Sequence, residues 1–301
     1  MFFSMNLQAL YAKLLYMKNS YPNKSAIWRH KLSVSMLVLG LAVSACQTDS
    51  ANEIGTSLPK AEGVSTSQAL MEAGKTAELR GEYADAASLY KSAYKADNKN
   101  PEPLVALGKA LAQGGAIGEA ADAFREALSK DGMHPEALRG LGNVLVASNQ
   151  PELAIPYFQR GLEVDSKNYK NFLGLGVAYD ITGDHEAARA MYSAGLSRSP
   201  SNPDLLANMG LSYALTGEFD EALQMAGEAA NLVDTTFHHR LTLALIYGLA
   251  GDFDQARQIS SQDFDLVTVE RNITYFRNLR ALSDPAERLK GIRAFYTGSK
   301  T

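Results

Sequence analysis

From Gln68 to about Asp263 the apolar and small residues fall at helical spacing, and the whole arrangement returns every 34 residues. Between Tyr169 and Asn202, Phe172, Leu175, Gly176 and Tyr179 stand at i, i+3, i+4 and i+7, one stripe of an amphipathic helix. Gly183-Asp184 breaks that helix, because glycine closes a helix in the left-handed conformation without a Cβ clash. Ala188, Tyr192 and Gly195 form the stripe of a second helix, and Ser199-Pro200 ends it. The same two stripes recur in register six times. One column is Gly74, Gly108, Gly142, Gly176, Gly210 and Ala244; a second is Ala86, Ala120, Ala154, Ala188, Ala222 and Ala256. A third is Gly81, Gly115, Asn149, Gly183, Gly217 and Gly251. Neither helix of a pair can bury its stripe alone, so the pattern predicts stacked helical hairpins in one elongated domain.

These residues resemble the tetratricopeptide repeat (TPR), whose order of large residue, Leu-Gly, Tyr, Gly, Ala, aromatic, small residue and Pro is matched by Phe172, Leu175-Gly176, Tyr179, Gly183, Ala188, Tyr192, Gly195 and Pro200. The resemblance implies an all-α fold: a right-handed superhelical solenoid of about six helix-turn-helix units over residues 68–263, serving as a protein-protein interaction scaffold. Asn149 departs from the third column. Ala226 and Ser260 replace the second-helix aromatic in units 5 and 6, where looser packing is expected. Beyond Asp263 helical spacing continues through Leu266, Val269, Ile273, Phe276 and Leu279. It restarts at Asp284-Pro285 with an expected capping box to Glu287 and an apolar face of Leu289, Ile292, Phe295 and Tyr296. Residues 264–297 are thus expected to be capping helices over the last naked face.

The chain ahead of the repeats has a different character. Leu32 to Ala45 is apolar and small, and Lys18, Lys24, Arg29 and Lys31 precede it without any acidic residue. This is the layout of an export signal, and it is too short for a span of about 20 residues. Val43-Ser44-Ala45-Cys46 resembles the bacterial lipoprotein box, which implies cleavage before Cys46 and its lipidation. The other reading is an uncleaved anchor or a free buried thiol. Gln47 stands where the family's sorting rule would place aspartate for inner-membrane retention, which implies the outer membrane and its periplasmic face. Residues 1–16 are expected to be a misplaced start with Met17 the natural one, or else a long positive region. Residues 46–67, rich in Ser, Thr, Asn and Gly, read as a flexible tether.

Composition narrows the partners. The chain has 301 residues, 46% hydrophobic and 21% charged, ample for a core. Residues 1–45 hold five of the 29 Lys and Arg and none of the 33 acids, so the remainder carries 24 minus 33, a formal −9. That balance disfavours nucleic acid and anionic lipid, and leaves acyl chains as the means of membrane attachment. The single cysteine excludes an internal disulfide framework.

By the TPR resemblance, the first helix of each unit lines a concave groove. Its polar half is Lys75, Glu78, Glu102, Lys109, Gln113, Glu136, Arg139 and Asn143. Its apolar half is Leu173, Val177, Ile181, Leu211, Leu215, Leu241, Leu245 and Leu249. The expected partner-binding set is Lys109, Arg139, Asn143, Leu173, Val177, Leu211, Leu215 and Leu245. Two occupants of the apolar half stay open: an amphipathic segment of a partner, or the chain's own last helix. Lys109, Arg139 and Asn143 invite comparison with the family's carboxylate clamp, but Gly174 stands where that clamp needs an amide.

His30, His134, His185, His238 and His239 lack the i, i+3 or i+4 pairing of a helical metal site, and no nucleophile motif, phosphate loop or dinucleotide fingerprint occurs. No cofactor, metal or catalysis is expected. The order of lipobox, tether, six repeats and closing helices resembles the TadD lipoproteins of tight-adherence (Flp) pilus assembly. So does the segment Arg271-Asn272-Ile273-Thr274-Tyr275-Phe276-Arg277-Asn278-Leu279-Arg280. The resemblance implies protein partners in a pilus or secretion machine. The alternative is a general envelope adaptor that recruits peptidoglycan enzymes or aids outer-membrane protein assembly.

Overall fold

The computed structural model describes residues 65–297, and the stretch read as an export signal, Cys46 and nearly all of the stretch read as a tether lie outside them. The first helix begins at Thr66, two residues inside the stretch read as tether, because the Ser65 side chain caps it by accepting from Gln68 N. Among the described residues there are fourteen helices and no strand. Unit 1 is α1 (Thr66–Leu79) and α2 (Tyr83–Ala96), unit 2 is α3 (Glu102–Gln113) and α4 (Ile117–Lys130), and unit 3 is α5 (Pro135–Ala147) and α6 (Pro151–Val164). Unit 4 is α7 (Tyr169–Thr182) and α8 (His185–Leu196), unit 5 is α9 (Pro203–Thr216) and α10 (Phe219–Asn231), and unit 6 is α11 (Phe237–Ala250) and α12 (Phe253–Ser260). Then come α13 (Leu266–Ala281) and α14 (Pro285–Thr297). Each helix packs on its neighbours in sequence, and the first helices of successive units also touch, as in unit 2 to unit 3 and unit 5 to unit 6. This is the expected solenoid.

The third column closes every hairpin. Gly81, Gly115, Gly183, Gly217 and Gly251 all have positive φ, and Asn149 takes the same conformation at φ 59°. Asparagine is the substitution this position tolerates, because its short polar side chain reaches the left-handed region at small cost.

A ring from the second helix fills the space inside each of the first four hairpins. Tyr90, Phe124, Phe158 and Tyr192 are at most 1% exposed. They lie so close to Gly74, Gly108, Gly142 and Gly176 that a Cβ there would come within 3.0 Å of a ring atom. Phe124 and Phe158 press equally closely on Gly140 and Gly174 of the following unit, so one ring joins two units. Gly174 is therefore buried under Phe158, and an amide side chain there would have to displace that ring.

Units 5 and 6 differ from the expectation of looser packing. With Ala226 in place of the ring, α10 closes on α9 until a Cβ at Gly210 would meet the Ala222 carbonyl at 2.9 Å and the Ala226 backbone nitrogen at 3.0 Å. Losing the ring brings the backbones together and opens no void. In unit 6 the missing volume is supplied from outside: Phe276 of α13 sits against Gly248. α13 packs on α11 and α12 as a seventh first helix would, which caps the array. At the start of α14, Asp284 accepts from Ala286 N at 2.9 Å, whereas Glu287 turns to Lys290 at 3.8 Å and completes no box.

The wedge arrangement separates two kinds of helical glycine. Gly176→Ala places a methyl in the Tyr192 ring and is expected to lower stability by about 1–3 kcal/mol. Gly118→Ala, in α4 with nothing within 4 Å, is expected to raise it by about 0.5–1 kcal/mol. Urea unfolding followed by circular dichroism measures both, and equal signs would contradict the wedge.

Candidate functional site: the concave groove

The first helices α3, α5 and α7 bring Lys109, Arg139 and Lys170 to one region of the concave face. All three are half-buried, while Asn143 beside them is exposed. Burial is the main cause that pushes the Lys109 ammonium down to about 8, and the charges of Arg139 and Lys170 push the same way. Burial also lowers Arg139 and Lys170, and Arg139 opposes the charge of Lys170. The three cations are thus near enough to repel one another. Acids offset part of this: Lys109 bonds to Glu136, and the charges of Glu102 and Glu78 favour its protonated form. Asp204 does the same for Lys170. A half-buried cation gains from a charge-assisted bond to a carboxylate.

The apolar half divides in two. Leu173 and Val177 remain half-buried along the wall of α7. Leu211, Leu215 and Leu245 are 8%, 4% and 0% exposed and share one core with Ile292 and Tyr296 of α14. Of the two occupants left open by the sequence, the chain's own last helix is in place. As the chain stands, those three leucines are floor beneath α14 and not free surface.

Several polar contacts that sequence reasoning did not foresee tie helices and units together. Tyr90 donates to Glu78 at 2.9 Å and Tyr192 donates to Asp180 at 2.8 Å, each pair twelve residues apart. Where the ring is phenylalanine, as at Phe124 and Phe158, the residue twelve earlier is Ala112 or Val146. A buried hydroxyl requires an acceptor and a bare ring does not, so the pairing was readable from the chain. Asp180 also accepts from Ser212 Oγ at 2.7 Å and lies 2.8 Å from His185 Nδ1, which links unit 4 to unit 5. His134 caps α5 and reaches Glu102 at 3.1 Å. His239 Nδ1 accepts from Thr236 N, so its Nε2–H donates to Asp204 at 3.0 Å. These histidines hold the joints between units.

The architecture defines a helical-hairpin solenoid with a concave binding face, the class of interaction scaffolds. The tetratricopeptide repeat model matches residues 60–101, 105–171 and 173–231, and a second model of that description matches 238–260. The chain belongs to the tetratricopeptide repeat family. Among solved structures it is similar to a tetratricopeptide repeat protein from Parabacteroides merdae, with 18% identity, 69% of this chain and 83% of that one covered, and a TM-score of 0.59. It is also similar to Pseudomonas aeruginosa pilF at 17% identity, 71% and 97% covered, TM-score 0.58. A third is a thermophilic TPR protein of Thermus thermophilus, at 19%, 60% and 98%, TM-score 0.53. At these identities the likeness is one of fold. No curated protein sequence matches.

One buried histidine makes stability depend on pH. His238 is 8% exposed with no hydrogen-bond partner at Nδ1, and burial, aided by His239, lowers it to about 4. The unfolded chain takes up that proton near the ordinary value of 6.5. Stability from the neutral ring is therefore complete above 6.5 and is lost as pH falls from 6.5 towards 4, by on the order of 2 kcal/mol. A His238→Gln variant is expected to show a shallower decline of melting temperature across that window. Parallel wild-type and variant curves would contradict the assignment.

Proposed function

We propose that this chain is a periplasm-facing, lipid-anchored scaffold of the outer membrane that holds subunits of a tight-adherence pilus or related secretion machine. The observation that carries the scaffold reading is the half-buried cation cluster of Lys109, Arg139 and Lys170 on the concave side of units 2 to 4. Even with that cluster counted the chain is acidic, at a formal −4 overall and −9 without residues 1–45. An acidic segment of a partner would find cationic contacts there, in exchange with the local acids Glu78, Glu102, Glu136 and Asp204. The apolar wall of Leu173 and Val177 beside it would take the partner's adjoining aliphatic side chains.

The pilus assignment rests on the order of lipobox, tether, repeats and closing helices, and on the Arg271–Arg280 segment, which forms most of the capping helix α13. In this reading Cys46 carries the acyl chains, and residues 47–64 set how far the array stands from the membrane. Two or more chains give stable anchoring where one does not.

Arg139→Glu combined with Lys170→Glu is expected to reduce capture of partners from detergent-solubilised envelopes at least tenfold. Circular dichroism and melting temperature should stay near wild type, since both side chains are only half-buried. Cys46→Ser is expected to move the chain from the membrane pellet to the soluble periplasmic fraction. Recovery of peptidoglycan hydrolases with no pilus or secretin component would replace the pilus reading with the envelope-adaptor one. Undiminished capture by the double variant would end the claim on the cation cluster.

A further inference from the structure

The last helix lies in the trough instead of merely covering the end of the stack. α14 contacts α9 of unit 5 and α13, and Ile292 and Tyr296 are 1% and 3% exposed against the leucines of units 5 and 6. Phe295 stacks on Tyr275 at 5.2 Å and meets Phe276 edge-on at 5.3 Å. Besides the bond that the Tyr275 hydroxyl of α13 donates to the Gly291 carbonyl at 3.0 Å, two polar attachments join it to the repeats and fix its register. Thr242 Oγ1 donates to the His238 carbonyl, so the Tyr296 hydroxyl donates to Thr242, at 2.8 Å and fully buried. At the other side Arg293 reaches back to unit 3, where it donates to Asn149 Oδ1 and the Val146 carbonyl. Asn149 is the one residue of the left-handed column that is not glycine, and it is the one whose side chain α14 uses.

These features describe how a trough receives an amphipathic helix: aliphatic and aromatic anchors at i, i+3 and i+6 or i+7, with a hydroxyl and a guanidinium setting the register. The occupant is held on a short leash. Leu282, Ser283 and Asp284 between α13 and α14 are exposed, as are Pro285 to Glu287 in the first turn. α13 alone packs on α11 and α12, so the stack stays capped if α14 leaves. A helix of 13 residues is marginal by itself in water, so α14 keeps its shape through the trough.

We infer that the leucine-floored trough of units 5 and 6 is a binding site for an amphipathic helix of a partner protein, and that α14 is a tethered surrogate which that helix displaces. The surrogate defines the ligand: a helix with the Leu289, Ile292, Phe295, Tyr296 pattern and a basic residue on its flank. Tethering gives α14 a high effective concentration, so only a partner brought close by another contact, such as the cation cluster, competes. This deepens the scaffold reading without depending on which machine the chain serves.

The test uses the purified intact chain and, as probe, a fluorescein-labelled synthetic peptide of residues 284–297, followed by anisotropy. Wild type is expected to bind the peptide weakly. Arg293→Ala with Tyr296→Phe, which loosens the tethered helix but leaves the trough intact, should bind it at least tenfold more tightly. Hydrogen exchange provides the second reading: amides of residues 285–297 should exchange faster than those of α11 in wild type, and faster still in the variant. Unchanged peptide affinity, or exchange of 285–297 only at the rate of global unfolding, would overturn the proposal and make α14 a fixed part of the core. A dimer in which α14 occupies a second copy's trough, seen by light scattering, would also overturn it. Because only the purified chain and a peptide are present, failure here leaves the envelope capture experiment untouched.

Discussion

The structure depends on a ring placed where two helices lack a Cβ. A phenylalanine or tyrosine on the second helix of a unit needs space, and the glycine on the first helix provides it by omission. At Phe124 and Phe158 a second glycine on the next unit's first helix does the same, so a single side chain sets the spacing within a hairpin and between hairpins. Burying such a ring is worth about 1.5–3 kcal/mol and losing it costs about 3–5. The exposed ion pairs, such as Lys75 with Glu72 or Arg125 with Asp122, contribute at most about 1 kcal/mol each. Packing, and not surface charge, therefore holds the stack in register, which leaves the groove residues free to carry charge.

That freedom is used unevenly along the array. Where phenylalanine rings fill units 2 and 3, the facing positions are alanine and valine, and the cations of the groove gather on the same two units and the next. Where tyrosine is used, its hydroxyl commits a carboxylate, Glu78 or Asp180, to the interior. Asp180 then draws in His185 and Ser212 and fastens unit 4 to unit 5. A groove position that serves this joint cannot also present a charge to a ligand.

Much of this was legible in the sequence, for physical reasons that can be named. The left-handed column could be read because only glycine, and with little strain asparagine, closes a helix that way. The hairpins could be read because two stripes of helical period, separated by such a residue, have one economical arrangement. The tyrosine and carboxylate pairs were present in the chain at a fixed interval of twelve, but they become visible only once hydroxyl satisfaction is asked of each ring in turn. The expectation that units 5 and 6 would pack loosely followed from counting lost volume. It failed because small residues on both helices let backbones approach, and because Phe276 of α13 supplied the volume missing from unit 6.

The sequence left the position of α14 open, between the end of the stack and the apolar half of the groove, and the reason bears on what the trough is for. An amphipathic stripe states how much apolar surface a helix must bury and on which side; it carries no address. Leu289, Ile292, Phe295 and Tyr296 would fit a naked end of the stack as well as a concave floor. The address lies in two residues far from α14 in the chain: Thr242, a hydroxyl at a buried site, and Asn149, an amide where glycine would close the turn at less cost. They give the last helix one register in the trough, and a trough that specifies register reads the side chains of whatever helix enters it.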